Sequence, residues 1–315
     1  MQTMRDQQAA TLAASFFFIL YPAISAEAQA RQPRFGAGVE VVNLNVSVTD
    51  VRGRYVKDLQ DNDFVVLEDG VQQNLLMFAR DDIPVSLSLL IDTSGSMADK
   101  LQVAQDAALR FIRNLRAGDT AQIVQFNERV TVLQDFTDDL AALEAAIRKT
   151  RPSGATALHT AVYVALKELS NSRRGELRRR AVVLLSDGED TSSSVSEQQV
   201  VELGRRSEIN VYAISIRHHQ PSESERANYD RSVHFLTTLA RETGGEVHLA
   251  SAVGELEPLY GRIAEELRTL YTIGYVSANE RRDGKWRKVV VLTPNRDSVV
   301  LRHRTGYYAP RETAP

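Results

Sequence analysis

Cysteine is absent from the 315 residues. That excludes a disulfide framework, a zinc–thiolate site, an iron–sulfur cluster and a thiol nucleophile. A large excess of one charge is also missing. Lys and Arg number 38 against 41 Asp and Glu, a formal net charge of -3, which argues against nucleic-acid binding through bulk positive charge. Neither a Gly-x-x-x-x-Gly-Lys-[Ser/Thr] phosphate loop nor a Gly-x-Gly-x-x-Gly after a strand pattern occurs, so ATP and NAD are not expected ligands. Beyond residue 30 no stretch approaches the ~18 uninterrupted apolar residues of a spanning helix, so no membrane span is expected in the mature chain. What remains is globular in composition, 43% hydrophobic and 25% charged, at a length suited to about two domains.

The N-terminus differs from the rest. Leu12–Ile24 is an uncharged, mostly apolar run of 13 residues, followed by Ala26-Glu27-Ala28 and Ala28-Gln29-Ala30. A short apolar run before small-x-small triplets predicts a signal peptide over residues 1–30, and with it export to the periplasm or the outside of a bacterium.

Residues 37–81 read as a β segment. Leu44, Val46 and Val48 alternate with polar neighbours, Val41-Val42 suggests a bulge, and turns fall at Asp50–Gly53 and Glu68-Asp69-Gly70. From residue 84 to 268 the pattern changes to strands alternating with amphipathic helices, which predicts a doubly wound, Rossmann-like α/β domain with a mostly parallel sheet. Strand patterns return over residues 270–309. Two arrangements of the flanks are open: one discontinuous β-sandwich with the α/β domain inserted in it, or two independent β appendages.

Three loops of the α/β domain concentrate polar chemistry. Asp92-x-Ser94-x-Ser96 follows the first strand, Gly154-Ala155-Thr156 enters a helix, and Ser186-Asp187-Gly188-Glu189 follows the strand at 181–185. Ligands of open α/β sheets gather outside the carboxyl ends of the strands, where such loops converge. Two carboxylates and three hydroxyls form an oxygen-only donor set suited to a hard divalent cation, Mg²⁺ first, with Mn²⁺ or Ca²⁺ possible. Taken singly, the hydroxyls could merely cap helices and Asp187 could mark a plain turn.

Asp92, Ser94, Ser96, Thr156 and Asp187 together resemble the metal-ion-dependent adhesion site of von Willebrand factor type A domains. The resemblance implies that the serines and the threonine meet the metal directly or through water. It also implies that the aspartates often act through water, and that a carboxylate from a protein partner fills the open position. Val56–Leu59, Asp63-Phe64, Glu68-Asp69-Gly70, Tyr271–Tyr275 and Gly306-Tyr307-Tyr308 are similar to the flanks of exported bacterial VWFA-related proteins. The expected function is therefore a non-enzymatic, cation-dependent binding module. Alternatives are a hydrolase on the same cation, with His159, Glu189 or Asp190 as base, and a metal-free scaffold acting through its sandwich.

Two further features are read as uninvolved. Arg173, Arg174 and Arg178–Arg180 are expected to be a solvated helix end, and His218-His219 to lie in an exposed polar loop reaching about Asp230.

Overall fold

The structure, a computed structural model, describes residues 40–80, 83–172, 177–187, 190–216 and 222–312. The expected signal peptide, Gly188, Glu189, Arg173, Arg174 and the His218-His219 pair lie outside them. In chain order the elements are β1 (Val42–Asp50), β2 (Val65–Glu68), β3 (Val71–Gln73), β4 (Leu75–Ala79), β5 (Val85–Asp92), α1 (Leu101–Ile112), β6 (Thr120–Phe126) and β7 (Val130–Thr137). Then follow α2 (Leu140–Lys149), α3 (Leu158–Asn171), β8 (Arg179–Ser186), α4 (Glu197–Arg206), β9 (Ile209–Ile216), α5 (Glu223–Thr243), β10 (Val247–Ala250) and α6 (Leu256–Thr269). The chain closes with β11 (Tyr271–Tyr275), β12 (Trp286–Leu292), β13 (Val299–Arg302) and β14 (Gly306–Tyr308).

A six-stranded sheet in the order β10-β9-β8-β5-β6-β7 forms the α/β domain. Its strands are parallel except for β7, which runs antiparallel to β6 at one edge. Every residue of β5 and β9 is buried, as expected of strands covered on both faces. Leu87, Leu89 and Ile91 pack with α1, α2 and α6 on one face, while Leu90 joins α3, α4 and α5 on the other. The serines that interrupt the apolar run of β5 are satisfied across the sheet: Ser88 Oγ donates to Gln122 Oε1 at 3.0 Å.

The flanks form one sandwich. Its sheets are β13-β1-β11-β4 and β14-β12-β2-β3, so each takes strands from both ends of the chain. β1 lies antiparallel between β11 and β13, and β2 pairs with β12. The two sheets share a core of Leu44, Val46, Phe64, Val66, Tyr271, Ile273, Val289 and Val291. β1 stays in register with β11 from Val42 to Val46. The irregularity expected at Val41-Val42 falls instead between β11 and β4, at Gly274/Tyr275.

The flanking motifs of the sequence meet inside this sandwich. Tyr271 Oη donates to Val56 O at 2.9 Å and accepts from Leu59 N at 3.1 Å. The buried Glu68 carboxylate accepts from Tyr275 Oη, Tyr307 Oη and Ser277 Oγ at 3.0, 2.9 and 2.6 Å. These contacts join the N-terminal strands to the C-terminal ones and give the motifs a structural role.

The sandwich docks at the amino-terminal ends of the parallel strands. Asn45 Nδ2 donates to Asn210 Oδ1 at 2.9 Å, and the buried Glu266 accepts from Tyr212 Oη at 2.9 Å, from Tyr55 Oη at 3.0 Å and from Arg302. Arg179, at the start of β8, corrects the expectation of a solvated basic cluster. It is buried and donates to Leu267 O, Leu270 O, Arg80 O and Thr272 Oγ1. Its guanidinium thus caps the carboxyl end of α6 and holds both places where the chain crosses between sandwich and α/β domain. The polar stretch before Asp230 is a second correction, because α5 already begins at Glu223. Its first turns lack apolar periodicity, which is why it read as a loop.

Candidate metal centre

The candidate residues collect at the carboxyl ends of the strands, opposite the sandwich. β5 has β6 on one side and β8 on the other, and the chain runs outward from it in both directions. Its end is therefore a topological switch point, where a crevice opens. Asp92 ends β5, and Asp187 follows the last residue of the adjacent β8.

Asp92 is fully buried. Its Oδ1 accepts from Ser94 N at 2.8 Å and its Oδ2 accepts from Ser186 Oγ. Ser94 Oγ lies 3.0 Å from Ser96 Oγ, and Ser96 Oγ donates to Asp187 Oδ1 at 2.8 Å. Asp187 is also fully buried, and its Oδ2 is ion-paired with Lys100. A continuous network thus runs from one carboxylate through two serines to the other, and it reaches solvent at the exposed Ser96.

The third loop is fastened alongside. Gly95 N donates to Gly154 O at 3.0 Å and Ser153 N to Thr93 O at 2.7 Å. Gly154 has φ +69°, a left-handed conformation that glycine adopts without steric cost. The buried Thr156 is held by its backbone: its N–H donates to Thr191 Oγ1 at 2.9 Å, and its carbonyl accepts from Thr191 N and Ser192 N. Among the described residues no hydrogen bond links the Thr156 hydroxyl to the other four candidates.

None of these hydroxyls caps a helix. Ser94 precedes a short 3-10 turn over Gly95–Met97 without a side-chain capping bond. The N-cap of α3 is Ala157, so Thr156 stands one residue outside it. Asp187 binds two side chains of the connection between β5 and α1, Ser96 and Lys100, rather than merely closing a turn. Capping and turn formation therefore do not account for the set.

The electrostatics fit a cation. Burial pushes the Asp92 carboxyl up to about 6; hydrogen bonds from Ser186 and Ser94 oppose that rise, and the nearby Asp187 charge adds to it. Two carboxylates in a dry crevice need positive charge close by. All five candidates offer oxygen, the donor that Mg²⁺ and Ca²⁺ take. Among the described residues, the candidate centre included, no group of three or more histidine and carboxylate side chains is disposed to hold a metal, so the candidate set depends on its hydroxyls beside two carboxylates.

The candidate bases stand differently. His159 Nδ1 lies 3.3 Å from Asp190 Oδ2, its ring packs edge-on against Phe235 at 4.5 Å, and Asp190 Oδ1 accepts from Ser193 Oγ. Both are engaged on the flank of α3. Lys100 escaped the sequence reading. A signal was present, since a lysine at the N-cap of α1 opposes the helix dipole and calls for a nearby anion.

A doubly wound sheet with this loop set at its switch point defines a class, and the comparisons place it. The family model described as von Willebrand factor type A domain matches residues 87–189. That match runs from β5 to just beyond β8 and takes in Asp92, Ser94, Ser96, Thr156 and Asp187. The chain is 26% identical over 207 residues to inter-alpha-trypsin inhibitor heavy chain H1 of Mesocricetus auratus, covering 60% of this chain and 21% of that protein. A UPF0353 protein of Nocardia farcinica is 24% identical over 205 residues, covering 58% of this chain and 61% of that one. The chain therefore spans about a fifth of the first relative's length and 61% of the second's. A solved von Willebrand factor type A structure from Catenulispora acidiphila superposes with a TM-score of 0.51 at 12% identity, covering 88% of this chain and 76% of that one. That likeness is one of fold.

Proposed function

We propose that the protein is an exported binding module in which Asp92, Ser94, Ser96, Thr156 and Asp187 hold one divalent cation, Mg²⁺ first. The observation that carries this reading is the network from Asp92 through Ser94 and Ser96 to Asp187: two fully buried carboxylates, hydroxyls free of capping duty, and an opening at Ser96. The cation, when bound, offers a coordination position that an acidic side chain of a protein partner completes. Export rests on the apolar run Leu12–Ile24 and the small-residue triplets after it. Among the described residues no helix is long and apolar enough to cross a membrane. A hydrolase would need a base turned toward the cation, whereas His159 and Asp190 engage each other and their neighbours.

Capture of partners from envelope extracts tests the reading. Binding is expected with Mg²⁺, lost with chelator, and lost in Asp92→Asn while that variant stays folded by circular dichroism. Capture indifferent to both treatments would sink the proposal.

A further inference from the structure

Lys100 places a positive charge against the candidate centre, and its position is costly by local rules. It occupies the N-cap of α1 with no side-chain capping bond. There a cation opposes the helix dipole. The compensation is the ion pair with Asp187 Oδ2, supported by Ser96 O at 3.4 Å. The Lys100 side chain keeps 19% exposure whereas Asp187 has none. A partly exposed ammonium on a flexible four-carbon stem therefore faces a carboxylate that water does not reach.

Asp187 has two oxygens, and their engagements differ. Oδ1 takes the Ser96 hydroxyl, which belongs to the same donor set, while Oδ2 takes the ammonium. We propose that Lys100 is a built-in competitor for the cation: it neutralises Asp187 from within and must yield that oxygen, or share it, when a divalent ion enters. The inference rests on the proposed cation site and concerns how tightly that site holds its ion. Two physical effects act in the same direction. Breaking the ion pair subtracts from the binding free energy of the ion, and an ammonium left nearby repels it in a crevice where screening is weak. Lys100 thereby keeps the affinity for the ion below what the donor set alone would give.

The test is calorimetric titration of the full chain with Mg²⁺ and with Mn²⁺, comparing wild type, Lys100→Met and Lys100→Arg. Methionine keeps much of the stem's length and removes the charge; arginine keeps the charge. Lys100→Met is expected to bind either ion about tenfold more tightly, with Lys100→Arg close to wild type. Thermal melting supplies a second readout. In chelator, Lys100→Met should melt below wild type, because Asp187 loses its ion pair, and added Mg²⁺ should raise its melting temperature by more than it raises that of wild type. Equal or weaker ion binding by a folded Lys100→Met, with wild type still binding, overturns the competitor role and leaves the cation site standing. Absence of ion binding in every variant, including wild type, overturns the cation site and this inference with it.

Discussion

Asp92, Ser94, Ser96, Thr156 and Asp187 were legible as candidates because each stands in a short motif that breaks the strand–helix rhythm. Lys100 and Arg179 were not. Basic residues, alone like Lys100 or in a run like Arg178–Arg180, normally read as solvated, and only folding brings Lys100 against Asp187, 87 positions away, and Arg179 against the end of α6. Gly154 carries a prediction at this scale. Its φ is +69°, and an added Cβ would collide with the Glu128 carboxylate. Gly154→Ala should cost about 1–2 kcal/mol in stability for the left-handed conformation alone. Because Gly154 O receives the Gly95 N–H, the substitution should also weaken Mg²⁺ binding several-fold. Melting and titration of the variant check both effects, and unchanged ion affinity would show that the 153–157 loop does not contribute to the centre.

At the level of elements, the α/β rhythm, the buried strands and most helix limits were readable, since hydrophobic periodicity carries them. Alternation alone could not decide whether the flanks form one sandwich, because strand partners lie more than two hundred residues apart, as Leu44 and Ile273 do. The connection before β14 supplies a pH prediction. His303 Nε2 accepts from Val291 N at 3.1 Å and its Nδ1 lies 2.7 Å from Arg304 O. The ring is therefore the neutral Nδ1–H tautomer, with Nδ1 donating to the carbonyl. Burial holds its pKa below the ordinary histidine value; the bond to Arg304 O opposes this and the Arg304 charge reinforces it. The unfolded chain takes up a proton near pH 6.5 that the folded chain resists, so His303 subtracts stability as pH falls below about 6.5. In His303→Gln, which keeps an acceptor for Val291 N, the fall in denaturant-derived stability below that pH should be shallower by roughly one proton per molecule. Parallel profiles for the two proteins would contradict the assignment.

On the scale of the whole molecule, one arrangement orders the rest. The sandwich grips the amino-terminal ends of the sheet through Arg179, Glu266 and Asn45, and the candidate centre occupies the carboxyl ends. The site thus faces away from the sandwich, and substitutions at the site should leave the junction untouched. A near-neutral chain has little long-range field with which to draw a charged partner; under the proposed function, one locally bound cation would supply charge where it is used. The most direct test of the account is calorimetric titration of the full chain with Mg²⁺, run beside Asp92→Asn. The account predicts saturable binding of one ion per chain in wild type and none in a folded Asp92→Asn. Equal binding by the two proteins, or no binding by wild type, would contradict it.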